Sequence, residues 1–166
     1  AGKHVFCEKP VGRTVAETES IADAIRAAGV EGGVGFNYRW APMVQYAARL
    51  IADGHLGAIT HYRSRFFSMY GSDPMSQLSW RFEKGAAGLG VLGDLMPHVA
   101  DMARFLLGPI ARVAATVETH IPARPLPVPG RGTHFTRGQA GDATGPVTNE
   151  DDATVPVVFA SGVRGV

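Results

Sequence analysis

Two short apolar runs on either side of one well-punctuated helix constrain the start of this chain. His4-Val5-Phe6-Cys7 suits a buried strand, and Pro10 ends it. Thr14 then opens T-V-A-E, a capping box with Glu17 three residues on. Val15, Ile21, Ala22 and Ile25 supply a helical apolar stripe, and Gly29 suits its C-terminal stop. Gly33-Val34-Gly35-Phe36 reads as a second buried strand. Strand, helix and strand with short connections make a βαβ unit, so the two strands are expected to be parallel.

The pattern then changes. A helix is expected over 42–52, with Pro42 in its first turn and Asp53-Gly54 closing it. Residues 59–67 alternate as a strand does, but the alternate set is basic, so neither face is plainly the core. Residues 71–93 form a Gly-rich connection, and 94–107 a helix with Leu95, Val99, Met102, Phe105 and Leu106 on its apolar face and Gly108 at its end. A strand over 113–121 follows, then a Pro- and Gly-rich stretch over 122–149 that reads as a surface loop. The last expectation is a strand over 153–160, a turn at Ser161-Gly162 and the first residues of another strand. Ala1 is not a start methionine, and the last strand has no following partner, so residues are expected to be missing at both ends.

Composition excludes several classes. A net charge of +1 gives no basic surplus for nucleic acid or an anionic membrane. No apolar run approaches the ~20 residues that span a bilayer. Cys7 is the one cysteine, which fits a reducing compartment and a cytoplasmic location. His4, His55, His61, His120 and His134 lack metal-ligand spacing, so no metal site is expected. There is no G-x-S-x-G elbow.

Four groups are left that bear chemistry. Asp94 and His98 are four apart, so on a helix they share a face. They suit a carboxylate and a proton acceptor; equally, Asp94 suits a helix N-cap and His98 a half-buried helix position. Glu8-Lys9-Pro10 ends the first parallel strand and Asn37-Tyr38-Arg39-Trp40 ends the second, at the carboxyl edge where open α/β sheets bind ligands. Both also read as ordinary polar turns. Trp80-Arg81 and Gly85, Gly88, Gly90 and Gly93 precede the Asp94 helix. These glycines lack the strand-to-helix setting of a G-x-G-x-x-G phosphate turn and read as a tight approach to the helix.

Taken in order, V-F-C-E-K-P, V-G-F-N-Y-R-W-A-P, S-W-R-F, G-V-L-G-D-L-M-P-H-V-A-D-M-A-R-F-L-L-G and V-T-N-E-D-D-A-T resemble the Gfo/Idh/MocA family of glucose–fructose oxidoreductase and inositol dehydrogenase. The likeness covers nearly the whole chain apart from about 122–145. It implies an α/β and α+β fold: residues 1–37 as the end of a Rossmann NAD(P)-binding domain, and 38–166 as a C-terminal substrate-binding α+β domain with a mainly antiparallel open sheet. It implies hydride transfer between NAD or NADP and a secondary alcohol of a sugar or polyol. Lys9, Asp94 and His98 match the family's catalytic positions. Glu8, Lys9, Pro10, Asn37 and Arg39 are expected to face the cofactor, and Lys9, Trp80, Arg81, Asp94 and His98 the substrate. Relatives pair through the open sheet face, which implies a homodimer or homotetramer. A noncatalytic dinucleotide-binding or structural module is the alternative, the fragment itself being inactive. Two departures stand out: Leu95-Met96-Pro97 precedes the histidine where many relatives carry Gly-Ser, and Pro156 sits inside the last strand.

Overall fold

The computed structural model describes residues 2–130, 133 and 135–166; His134, grouped above with the unclustered histidines, lies outside the described residues. β1 (Val5–Cys7), α1 (Val15–Ala27) and β2 (Gly32–Val34) form the expected βαβ unit, with the strands parallel and Val5 opposite Gly32. Thr14 Oγ1 accepts the Glu17 N–H at 3.1 Å. The Glu17 carboxylate takes the N–H of Arg13, not of Thr14, at 2.7 Å, so the box closes one residue early. The apolar stripe is only half used. Ala22 and Ile25 are half-buried, whereas Val15 is 74% exposed and Ile21 is exposed too, because a two-stranded sheet is too narrow to cover the helix.

A 3-10 turn over Asn37–Trp40 leads into α2 (Pro42–Ala52), which has the expected bounds and Pro42 in its first turn. Its C-terminus closes by the N–H groups of Gly54 and His55 returning to the Ile51 and Leu50 carbonyls. β3 holds only His61–Tyr62, not the whole of 59–67. The alternation persists in burial, with Tyr62, Ser64 and Phe66 turned inward and His61, Arg63 and Arg65 outward. The ladder stops because β3 has a partner, β10 (Arg164–Gly165), for only two residues.

The connection over 71–93 holds a 3-10 turn at Trp80–Phe82 and two single-turn helices, α3 (Lys84–Ala87) and α4 (Val91–Asp94). The helix expected over 94–107 therefore starts later, as α5 (Met96–Leu107). Asp94 ends α4 and is not an N-cap; Leu95 fills that position without a side-chain bond. The strand expected over 113–121 is two pieces, β4 (Ile110–Val113) and β5 (Thr116–Glu118). They pair antiparallel with β9 (Val157–Phe159) and β8 (Asp152–Thr154) in one common register from Arg112 on, Val113 opposite Val157 and Thr116 opposite Thr154, after a shift between Ile110 and Arg112. The break falls at Pro156, which has no N–H to give; its carbonyl still accepts from Ala114 at 3.0 Å. β9 has no free edge. It lies between β4 and β10 in the order β3-β10-β9-β4, which corrects the expectation of an unpaired last strand.

The stretch over 122–149 is not merely a surface loop. β6 (Ala123–Pro125) and β7 (Thr144–Pro146) pair antiparallel at its base. Leu78, Phe82 and Val147, with Tyr70 against them, form a small core there. Arg124 is 0% exposed: its guanidinium donates to the Gly71 and Asp73 carbonyls and lies 4.0 Å above the Phe82 ring. The whole is an α/β unit followed by an α+β body of small, mainly antiparallel sheets.

Arg39 ties the turn after β2 to α5. Its guanidinium forms a two-bonded ion pair with Asp101 of α5, and lies 5.2 Å from the Phe105 ring centre. Asp101 is buried and Arg39 keeps 33% of its side chain in water. Asp101→Ala is expected to cost about 2 kcal/mol, less than the ~3–5 of a fully buried pair, by urea denaturation; an unchanged midpoint would refute the strut.

Candidate functional site

Lys9 leaves the end of β1 and reaches the last turn of α4. Its ammonium donates to Asp94 Oδ1 at 2.8 Å and to the Asp94 carbonyl at 2.5 Å. Arg81 Nε stands 4.0 Å from the other oxygen of the same carboxylate. The Arg81 guanidinium lies 4.5 Å from the Trp80 ring centre and 5.5 Å from that of Tyr70. These groups surround a cleft of about 380 Å³, with Glu8, Pro10, Tyr70 and Glu150 also in its wall. A second cavity of about 640 Å³ shares Ser68, Tyr70, Val91 and Leu95 with it and is lined by none of the expected site residues.

His98 packs beside the cleft without lining it. Phe36, Tyr38 and Phe66 meet its ring edge-on, Tyr38 at 4.6 Å between centres. Its Nδ1 is buried without a partner among the described residues. Burial, and then the Lys9 ammonium, hold the imidazole below its ordinary value of 6.5, against weaker opposite pulls from Asp94, Asp101 and Glu8. A neutral imidazole at pH 7 can accept a proton. Asp94 ends α4 and His98 lies in α5, so the single helix face expected from their spacing is not formed; the carboxylate binds Lys9 and Arg81 instead.

The expected sheet-edge cluster is only partly assembled. Glu8, Lys9 and Pro10 reach the cleft, across a cis Lys9–Pro10 bond. Asn37 is exposed outside it. Arg39, expected beside the cofactor, is turned to Asp101 instead, because a buried carboxylate one helix away outcompetes water for its fork.

Three contributors escaped the sequence reading, though V-T-N-E-D-D-A-T contained two of them. Glu150 Oε1 accepts the N–H groups of Gly90 at 2.7 Å and Leu92 at 3.1 Å, fixing the turn that carries Asp94. Buried Asn149 donates to the Arg81 carbonyl at 2.8 Å. Tyr70 stacks on Phe82, ring planes 6° apart, and its hydroxyl meets Ser79 Oγ at 2.9 Å. The glycines also find their reason. Gly88, Gly90 and Gly93 have G-x-G-x-x-G spacing but follow helix α3, not a strand. Gly88 takes φ +82°, and a Cβ there would meet the Arg13 carbonyl at 2.9 Å; one at Gly90 would fall 2.0 Å from the Glu150 carbonyl oxygen.

The sequence profile of the GFO/IDH/MocA C-terminal domain matches residues 44–166. Levoglucosan dehydrogenase of Pseudarthrobacter phenanthrenivorans is 42% identical over 166 residues, covering 99% of this chain and 42% of that protein. The scyllo-inositol 2-dehydrogenase (NADP(+)) IolW of Bacillus subtilis is 36% identical over 117 residues, 70% of this chain and 32% of its own length. A solved levoglucosan dehydrogenase in complex with NADH and L-sorbose superposes with a TM-score of 0.87 at 40% identity, covering 99% of this chain and 41% of that one. The chain thus spans less than half the length of these relatives. Among the described residues no helix is long and apolar enough to cross a membrane.

Two outcomes follow from this geometry. NMR titration of His98 is expected to give a midpoint below 6.5, rising in Lys9→Met as the opposing charge is removed. The sign for stability is the same: the unfolded chain binds that proton first, so this contribution is present above about 6.5 and falls away as the medium is acidified. Gly90→Ala is expected to displace the Glu150 main chain and lower the melting temperature, at a cost of about 2 kcal/mol or more; unaltered melting would contradict the close approach.

Proposed function

The chain belongs to the GFO/IDH/MocA family, and on that premise we propose that it supplies the substrate side of an NAD(P)-dependent oxidoreductase acting on a secondary alcohol of a sugar or polyol. The observation that carries this reading is the Lys9 ammonium held by Asp94 at the wall of a cleft, with a neutral imidazole close behind it. In this reading residues 1–37 end a Rossmann domain and 38–166 belong to the substrate domain. The relatives whose names include NADH, NADP(+) and sugars support the cofactor and substrate class.

Parallel β1 and β2 present Glu8, Lys9 and Pro10 at their carboxyl edge, which fits a nicotinamide cofactor lying there. Exposed Asn37 is free to join them, whereas Arg39 does not fit that role. The chemistry the cofactor supplies when bound is acceptance of the hydride. His98 takes the hydroxyl proton as the alcohol carbon is oxidised. Lys9 lies against the oxygen on which negative charge develops and stabilises it. Asp94 holds Lys9 in place and accepts a hydrogen bond from a substrate hydroxyl, while Trp80 and Arg81 line the cleft beside it. A cytoplasmic location and a homodimer or homotetramer built through the open sheet face complete the proposal.

The test is reduction of NAD and NADP by the protein over a panel of levoglucosan, myo-inositol and D-xylose. On the best substrate, His98→Ala is expected to lower kcat by roughly 10²–10⁴-fold with a smaller change in cofactor affinity. Cofactor binding without turnover of any alcohol would favour a noncatalytic module instead.

A further inference from the structure

We propose that the cleft selects an uncharged, ring-form sugar or polyol and discriminates against phosphorylated or carboxylated counterparts. The inference rests on the polyol reading above and narrows its substrate class. The wall of the cleft carries two cations, Lys9 and Arg81, against three carboxylates, Glu8, Asp94 and Glu150, which leaves one negative charge in excess. Both cations face the same carboxylate, Lys9 Nζ at 2.8 Å from Asp94 Oδ1 and Arg81 Nε at 4.0 Å from Oδ2. Arg81 is further shared with the ring faces of Trp80 and Tyr70. Among the described residues of the wall, no cation stands clear of a carboxylate.

The negative excess is built into the backbone. Glu150 cannot swing away, because its carboxylate holds the N–H groups of Gly90 and Leu92 while its own carbonyl takes the Val91 N–H at 3.1 Å. Asp94 is anchored by Lys9. Glu8 is exposed, lying over Gly35. An oxidised nicotinamide, itself cationic, would bring the wall to neutrality and still leave no positive surplus.

A neutral polyol suits such a wall. Its hydroxyls are donors, and carboxylates accept them with charge-assisted bonds. Trp80, 54% exposed, presents an apolar surface to the C–H face of a ring. A phosphate monoester instead brings about 1.5–2 negative charges. It would shed water for a wall of its own sign and find each cation already engaged.

Matched pairs decide the matter: myo-inositol with myo-inositol 1-phosphate, and D-glucose with D-glucose 6-phosphate and D-glucuronate, titrated calorimetrically into the protein with NADH present at low salt. The neutral member of a pair is expected to bind at least about tenfold more tightly, with the ratio shrinking as salt screens the repulsion. Exposed Glu8→Gln is expected to shrink the ratio several-fold at low salt. Equal or tighter binding of the charged members overturns the inference and leaves the polyol reading standing. A ratio unmoved by both salt and Glu8→Gln also overturns it. Binding of neither member of any pair removes the polyol reading and this inference together.

Discussion

Lys9 and Asp94 lie 85 residues apart in sequence, and the bond between them brings the end of a parallel strand against the last turn of a helix in the other part of the molecule. The ammonium satisfies a side-chain oxygen and a main-chain carbonyl of the same residue, so it fixes position as well as charge. Everything proposed for the cleft depends on that contact. It sets where a substrate oxygen meets a cation. It places positive charge near an imidazole whose burial already disfavours protonation. It also leaves Asp94 unavailable to cap α5.

A second constraint keeps the contact in place. Residues 148–151 run as a rail past both walls of the cleft. Thr148 bonds Phe82 and Lys84, Asn149 bonds Arg81, Glu150 bonds Gly90, Val91 and Leu92, and Asp151 takes the N–H groups of His120 and Ile121. Such bonds contribute about 1 kcal/mol each when made and cost more when a buried partner is left unpaired. One short segment thus holds Arg81 and Asp94 at a set separation. Gly90 makes that approach sterically feasible.

Helices with clear punctuation were the legible part of the sequence. Thr14 and Pro42 start theirs, and α2 has its expected bounds, because caps and prolines act within a turn of the residues that encode them. The strands were legible in existence and not in length. Alternation over 59–67 records which side chains face inward, but a ladder lasts only as long as its partner, and the partner lies about a hundred residues away. Asp94 and His98 were found by spacing, Lys9 by its strand end. What spacing could not reveal was competition: Arg39 faced two claims, and the buried carboxylate of Asp101 won. Nor could the Pro- and Gly-rich look of 122–149 disclose Arg124, a cation buried on backbone carbonyls and a ring face.

Pro156 divides a ribbon that is otherwise continuous. Residues 112–118 and 152–158 keep one register on both sides of it, so the two halves share geometry. At that position the ladder is carried by the Ala114 N–H to the Pro156 carbonyl and lacks the return bond, because Pro156 has no amide proton to give. β9 is clamped by a neighbour on each side, while β8 has β5 alone. Amide exchange is therefore expected to be slower around Val157–Phe159 than around Asp152–Thr154. That segment adjoins the rail that holds the cleft, so opening of the wall is expected to leave the sheet behind it folded.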